Sequence, residues 1–126
     1  MGAPATLTPP RSAARILVVG PCGAGKTTLA HSLHALGIEV RQIAQEHSFI
    51  PDLWRRGTAP DVLIFLDASF ETCTVRKRFK WIERDYLEQQ RRLTDARSRC
   101  HFYLATDSLT PMEVRERVAA YLRGAG

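Results

Sequence analysis

The chain has 126 residues, enough for one domain with a modest core, and its 44% hydrophobic and 25% charged residues match ordinary globular usage. This composition excludes collagen-like and low-complexity chains, and no apolar run approaches the ~20 residues that cross a bilayer. Residues 1–14 have no apolar core, so we expect a flexible tail rather than a signal peptide, followed by a single domain over residues 15–124. Three widely spaced cysteines without a CxxC pair indicate reduced thiols, and we expect a cytoplasmic protein.

The first predicted elements are a strand, a glycine-rich turn and a helix. The apolar run RILVV, residues 15–19, predicts a buried parallel strand, and KTTLAHSLHAL, residues 26–36, predicts the helix. Between them GPCGAGKT, residues 20–27, matches the P-loop pattern of glycine, four residues and then Gly-Lys-Thr. A strand, this P-loop and a helix in that order are the context that the motif requires.

The residue types of the P-loop suit the binding of a phosphate chain. Gly20, Gly23 and Gly25 allow positive φ values and a close approach of the backbone to an anion, so that successive N–H groups point into one concavity. The helix N-terminus adds its positive dipole end, Lys26 can reach the β- and γ-phosphates, and the Thr27 hydroxyl can ligate Mg²⁺. The sequence therefore predicts a site for Mg²⁺ and a nucleoside triphosphate such as ATP, although the loop does not specify the base. The plain alternative is a glycine-rich turn that happens to contain a lysine.

Two further strands and a long loop follow the first helix. Gly37 ends the helix, and the alternating IEVRQIA, residues 38–44, predicts a second strand. After a loop over residues 45–60, the β-rich apolar run 62–66 predicts a buried parallel strand that ends at Asp67. Ligands bind at the carboxyl edge of α/β sheets, so Asp67 is placed like a Walker B aspartate.

The next segment is helical and basic. From Arg76 to Arg99 there are nine Lys or Arg and four Asp or Glu, an excess equal to the net charge of the whole chain, +5. Apolar residues at near-helical spacing predict one or two helices with an apolar and a cationic side. These residues are Ile82, Tyr86, Leu93 and Ala96, with Trp81 beside them. The cationic side is a solvated surface, a nucleic-acid patch or a source of arginines for bound phosphate.

The C-terminal part carries the clearest helix signal. HFYLA, residues 101–105, predicts a fourth strand, and Thr110, Pro111 and Glu113 predict a capped helix start with a capping box. The apolar face of this helix is Val114, Val118 and Leu122. Four strands and about four helices in βα alternation predict an α/β fold, a small doubly wound domain with a mostly parallel sheet.

Four motifs follow one another from about Arg15 to Leu122. They are the P-loop, PDVLIFLDASFETCTVRKR (residues 60–78), a basic helical stretch and FYLATDSLTPMEVRERVAAYL (residues 102–122). This order resembles the P-loop kinases of the nucleoside monophosphate kinase group, thymidylate and adenylate kinases among them, with shikimate and gluconate kinases nearby. In those enzymes a PDxxxxLD strand leads through a helix into an arginine-bearing lid, and a strand, Thr-Asp and a capped helix close the domain. The resemblance implies a three-layer α/β/α P-loop NTPase fold and γ-phosphoryl transfer from ATP to a small acceptor.

The resemblance also implies roles for individual residues. Arg76 and Arg78 would be lid arginines that act with Lys26 on the transferred phosphoryl group. Thr106 and Asp107 would lie near the base. Phosphate contacts would come from Gly20, Gly23, Ala24, Gly25, Lys26 and Thr27, with Thr28 near the α-phosphate.

The stretch between the second and third predicted strands departs from the family. About sixteen residues separate Gln45 from Asp61, where the complete enzymes have a further acidic strand and a substrate-binding helical insert. Either Asp67 or Glu46 would then serve Mg²⁺, and Glu46 is equally well explained as an exposed loop acid. We predict that EHSFIPDLWRR, residues 46–56, is the acceptor or partner site.

Four other residues of this segment have plainer explanations. His47 is better explained as a loop or capping residue than as a general base. Phe49, Ile50 and Trp54 predict a hydrophobic plug rather than a stacking platform. Together with the edge strand of a short sheet, these apolar residues also suit a homodimer.

Two functions fit these patterns. One is a compact Mg²⁺- and ATP-dependent kinase, and the other is a nucleotide-binding regulatory module or weak NTPase that acts through a partner. A guanine-specific GTPase has no support, because NKxD does not occur and no DxxG follows Asp67. We expect neither a membrane nor a nucleic acid as partner, although binding of nucleic acid by the basic helix would reveal itself by steep salt dependence.

Overall fold

A computed structural model describes residues 14–78 and 80–125 of the chain. The strands are β1 (Ile16–Val19), β2 (Arg41–Gln42), β3 (Val62–Asp67) and β4 (Phe102–Ala105). The helices are α1 (Lys26–His34), α2 (Phe70–Lys77), α3 (Glu83–Arg92), α4 (Thr94–Arg99) and α5 (Pro111–Ala125), with 3₁₀ turns at Gln45–His47 and Leu53–Arg55. Except for Ala14, the predicted N-terminal tail lies outside the described residues.

The four strands form one sheet in the order β2-β1-β3-β4, and every neighbouring pair is parallel. Ile16 lies opposite Val62, and Ile64 lies opposite Phe102. The central strands β1 and β3 are the continuous apolar runs of the sequence, as expected for parallel strands that are covered on both faces. The predicted α/β fold with a parallel sheet of four strands is confirmed.

Side chains alternate between the two faces of the sheet, and each face has its own core. On one face Val18 and Leu66 pack with residues of α1 and α5, including Leu33 and Val118. The buried residues of the other face are Leu17, Val19, Trp54, Leu63, Phe65, Leu93 and Ala96. Elements therefore cover both faces, which is compatible with a three-layer α/β/α domain.

Two local predictions differ from the structure. The second strand covers only Arg41–Gln42 instead of residues 38–44, because it is an edge strand that pairs with β1 at two positions. Ile38 and Val40 pack against the core from outside the ladder. Ile82 is 54% exposed and precedes α3, so it does not belong to the apolar side of the basic helix.

The capped start of α5 is confirmed in atomic detail. The Glu113 N–H donates to the Thr110 hydroxyl oxygen at 3.1 Å, and the Thr110 N–H donates to Glu113 Oε1 at 2.8 Å. This reciprocal pair satisfies two backbone donors at the end of the helix that closes one face of the core. No helix in residues 14–78 and 80–125 has the length and apolar character needed to cross a membrane.

We expect Thr110→Ala to lower the free energy of unfolding by about 1 kcal/mol, because the α5 N-terminus loses its side-chain acceptor. Urea unfolding followed by far-UV circular dichroism measures this change. Thr58→Ala, at an exposed loop position, is the matched control and should change stability by less than about 0.5 kcal/mol. Equal effects of the two substitutions would contradict the role of the cap.

Candidate functional site

The P-loop connects β1 to α1 at the carboxyl edge of the sheet. Gly20, Gly23 and Gly25 have φ values of 156°, 88° and 106°. A Cβ on Gly20 would lie 2.0 Å from the Leu66 carbonyl oxygen, and one on Gly23 would lie 2.9 Å from the Cα of Cys73. The loop therefore runs so close to β3 and α2 that side chains do not fit at these two positions.

Lys26, the first residue of α1, folds back across the P-loop. Its Nζ donates to the Gly20 carbonyl oxygen and, at 2.8 Å, to Oε2 of Glu46. The side chains of Lys26 and Glu46 are only 11% and 6% exposed. No side chain of the described residues caps α1, and its first turn has no acid, so the positive end of the helix is not neutralised within its own first turn.

Glu46 lies on the 3₁₀ turn Gln45–His47 and is 4% exposed, which excludes the exposed loop acid considered from the sequence. Its Oε2 accepts from Lys26, but its Oε1 is buried and has no hydrogen-bond partner within residues 14–78 and 80–125. Burying a carboxylate oxygen without a hydrogen bond costs free energy, so this atom is a candidate for contact with a bound ligand or metal ion.

The other two predicted metal ligands differ in what surrounds them. Thr27 is exposed, and its hydroxyl donates to Oε1 of Gln42 at 3.2 Å. Asp67 is engaged by protein donors at both oxygens. These donors are the Ala68 N–H at 2.9 Å, Gln90 Nε2 at 2.8 Å, the Tyr103 hydroxyl at 2.7 Å and Arg97 at 3.4 Å. Burial, together with the bond to Asp67, raises the pKa of Tyr103 to about 12.

The two predicted lid arginines occupy different places. Arg76 donates to the Gly23 carbonyl oxygen at 3.2 Å, to the Thr106 hydroxyl at 2.9 Å and to the Thr106 carbonyl oxygen at 2.6 Å. It therefore joins α2 to the P-loop and to the end of β4. Arg78 is exposed at the C-terminal end of α2, with a left-handed φ of 56°.

A cavity of about 160 Å³ adjoins the P-loop. Its walls include Ala24, Gly25, Thr28, Arg76, Thr106 and Leu109. Thr106 is 1% exposed, and its hydroxyl lies 2.9 Å from the Ala24 carbonyl oxygen. The structure therefore brings Thr28, predicted near the α-phosphate, and Thr106, predicted near the base, to one cavity beside the P-loop.

Asp107 does not line this cavity but accepts a hydrogen bond from the N-cap residue of α2. Its Oδ1 accepts from the Ser69 N–H at 2.8 Å, at the start of α2. Burial raises the pKa of Asp107, but hydrogen bonds from Ser69 and Thr72 outweigh it and hold the pKa below its usual range.

Gln89 of α3 is a site residue that sequence reasoning missed. It is 6% exposed, accepts from the Cys22 N–H at 3.0 Å and donates to Cys22 Sγ at 3.3 Å. The available signal was a glutamine between Tyr86 and Leu93 on the face of a helix that should be apolar. The side chain of Lys77 in α2 also lies close to the P-loop, since its Cγ would be 3.1 Å from a Cβ on Gly23.

The loop after β2 is held by Gln45, which is fully buried. Gln45 accepts from the Trp54 N–H at 2.8 Å and donates to the Ile50 carbonyl oxygen at 2.8 Å. Trp54 is buried, as the predicted plug requires, but Phe49 is 83% exposed and Ile50 is 43% exposed. The plug prediction is therefore wrong for Phe49 and Ile50, and the Phe49 ring centre instead lies 4.6 Å from the Arg92 guanidinium.

Neither protein-family models nor curated proteins gave a match to the chain. The chemistry of the carboxyl edge is therefore the ground for a functional proposal. That edge combines a glycine loop, a lysine paired with a buried glutamate, an arginine fixed to the loop, and an adjoining cavity.

Proposed function

We propose that the chain has a P-loop NTPase fold, binds Mg²⁺ and ATP in its P-loop, and transfers the γ-phosphoryl group to a small acceptor. The observation that carries this proposal is the position of Lys26. A nearly buried ammonium group lies across a loop of three positive-φ glycines, at the N-terminus of a helix. Such a combination of positive charge, close-packed glycine backbone and helix dipole suits a polyphosphate.

Lys26 has partners that phosphate oxygens can replace. It donates to the Gly20 carbonyl oxygen, a neutral acceptor, and to Glu46. A phosphate chain in the loop would take the place of the Gly20 carbonyl, because a charged acceptor makes the stronger hydrogen bond with an ammonium group. Glu46 would remain the buried counter-ion that orients the lysine.

The residues present also fit a hard cation. Thr27 is the second residue of α1 and has an exposed side chain, and one carboxylate oxygen of Glu46 has no partner among the described residues. Hydroxyl and carboxylate oxygens are the donors that Mg²⁺ prefers. Bound Mg²⁺ would neutralise charge on the phosphates. Of the two acids considered, Glu46 is the better placed, since both oxygens of Asp67 already accept from protein donors.

The cavity beside the loop suits the base of the nucleotide. Its walls join P-loop residues Ala24 and Gly25 to apolar Leu109 and Val114 and to Thr106. Apolar walls with a few polar groups are usual for small-molecule sites. Thr106, which Arg76 fixes through two hydrogen bonds, would thus couple occupancy of the cavity to the arginine.

Arg76 is the better candidate of the two arginines for the transferred phosphoryl group. It donates to the Gly23 carbonyl oxygen of the P-loop, whereas Arg78 is the residue that follows the C-terminal end of α2. The regulatory module is the second candidate function. The three hydrogen bonds of Arg76 favour this function too. They join the P-loop to Thr106, so a change of loop conformation on nucleotide binding would be transmitted through Arg76 to α2 and β4.

The first experiment is ADP release from Mg·ATP with a panel of nucleoside monophosphates and small hydroxylated metabolites, with Lys26→Ala as the blank. We expect one acceptor class to stimulate release above that blank. With this acceptor Arg76→Lys, which keeps the charge but not the three bonds, should lower kcat at least about 100-fold and leave ATP affinity nearly unchanged. Arg78→Lys is the matched control and should stay near the parent rate. Tight ATP binding without acceptor-stimulated release would contradict the kinase and favour the regulatory module.

A further inference from the structure

Three different metal-ligating side chains converge next to the P-loop. Cys22 Sγ lies 3.4 Å from His47 Nε2 and 3.9 Å from Glu46 Oε2, and the last two atoms are 3.8 Å apart. Cys22 belongs to the P-loop, whereas Glu46 and His47 belong to the 3₁₀ turn after β2. The fold therefore brings a thiol, a carboxylate and an imidazole from two segments to one point.

These separations are close to those of a tetrahedral metal site. Zinc bonds of ~2.3 Å to sulfur and ~2.0–2.1 Å to nitrogen and oxygen place neighbouring ligand atoms about 3.3–3.6 Å apart. The Cys22–His47 separation of 3.4 Å is in this range, and both distances to Glu46 exceed it by a few tenths of an ångström. A small shift of one carboxylate closes the difference.

The buried carboxylate is an independent sign of a ligand. Glu46 Oε1 has no hydrogen-bond partner in the part of the chain that the structure describes, while Oε2 accepts from Lys26. The measured separations from Cys22 and His47 are to Oε2, the oxygen that also accepts from Lys26. A turn of the carboxylate that brings Oε1 toward Cys22 and His47 would let one oxygen hold the metal ion and the other the ammonium group, so that the lysine does not need to leave. Metal binding would satisfy the one acceptor that the described residues leave empty here.

A supporting residue is also in place around the sulfur. Gln89, itself buried, donates through Nε2 to Cys22 Sγ at 3.3 Å and accepts from the Cys22 N–H at 3.0 Å. Hydrogen bonds from neighbouring residues to a ligand atom are the usual way to orient a metal ligand. His47 is 56% exposed, so the site is reachable from solvent on that side.

We propose that Cys22, Glu46 and His47 form a binding site for a divalent transition metal of the zinc class, with a fourth position open to solvent. The thiol and imidazole select such an ion over Mg²⁺, which prefers oxygen ligands only. On binding, the Cys22 S–H bond breaks, the metal–sulfur bond forms and one proton is released to solvent. This site can exist without the proposed nucleotide function, but both proposals use Oε1 of Glu46, so a zinc-class ion and Mg²⁺ would compete for that oxygen.

Cobalt(II) is the probe, titrated into the purified chain in the absence of nucleotide and Mg²⁺, with competition by zinc(II). We expect one cobalt ion per chain, a thiolate-to-cobalt charge-transfer band and the visible bands of a four-coordinate ion, all removed by one equivalent of zinc. Nucleotide binding is measured separately with Mg²⁺ and ATP, so the failure of one proposal leaves the other standing.

Single substitutions test which residues bind the metal ion. Cys22→Ser should abolish the charge-transfer band, and His47→Ala, at an exposed position, should weaken cobalt binding at least about 10-fold. Cys100→Ser and His34→Ala are matched controls, since each removes the same residue type away from the cluster and should leave affinity unchanged. Circular dichroism checks that each variant is folded. Absence of stoichiometric binding, or equal binding by the His47 and His34 variants, would overturn the proposal.

Discussion

Replacing Lys26 by alanine is expected to weaken the binding of Mg·ATP by at least about 100-fold. The substitution removes a nearly buried positive charge from the centre of the P-loop, and a charge-assisted bond to phosphate is among the strongest polar contacts available in such a site. Titration of a fluorescent ATP analogue, with calorimetry on unlabelled ATP, measures the change. An affinity equal to that of the parent chain would contradict the proposed phosphate site itself.

Stability must be separated from binding in this experiment. Without Lys26, the buried Glu46 carboxylate loses the ammonium group that it is paired with, and removal of one partner of a buried pair costs about 3–5 kcal/mol. The double variant Lys26→Ala with Glu46→Gln removes both charges and should regain much of that stability without regaining ATP affinity. Lys80→Ala, at an exposed position, is the control and should bind ATP within about twofold of the parent chain.

Gly20→Ala is expected to lower the free energy of unfolding by about 3 kcal/mol. The new Cβ would lie 2.0 Å from the Leu66 carbonyl oxygen, and that atom belongs to the backbone of the central strand β3. Because neither the loop nor the strand can move without breaking the parallel pairing of β1 and β3, the clash must be relieved by local distortion. Urea unfolding at equilibrium measures the loss, and ATP affinity should fall with it.

Gly57→Ala separates the clash from the cost of a positive φ. Gly57 has a φ of 79°, but a Cβ there would meet nothing within 4 Å. Only the backbone strain of a non-glycine residue remains, about 1 kcal/mol. If the two variants lost the same stability, close packing of the P-loop against β3 would not be the reason for glycine at position 20.

Elements with a strong local signal could be predicted from the sequence. The apolar runs before and after the P-loop predicted β1 and β3, and the Thr110–Glu113 pair predicted the start of α5. These signals work because hydrophobic periodicity and capping depend on residues only a few positions apart. The edge strand β2 was predicted too long, since the length of an edge strand depends on how much partner strand lies beside it.

Contacts between residues that are far apart in the chain could not be predicted from the sequence. Glu46 lies 20 residues from Lys26, and Gln89 lies 67 residues from Cys22, yet both pairs are in hydrogen-bond contact. Sheet order places β2 and its following turn next to β1, and packing of α3 on that turn places Gln89 at the loop. No spacing rule connects residues so far apart, because their contact depends on every element that packs between them.

The sequence by itself determined the P-loop motif, the apolar strands β1 and β3 and the capped start of α5, since each depends on local residue chemistry. Only the tertiary structure showed that Asp67 accepts from protein donors at both oxygens, whereas Oε1 of Glu46 has no partner among the described residues. It also decided that Arg76 rather than Arg78 contacts the loop. The physical reason is that burial and hydrogen-bond satisfaction are properties of the packed chain, and a polar residue acquires its role from the groups that folding places around it.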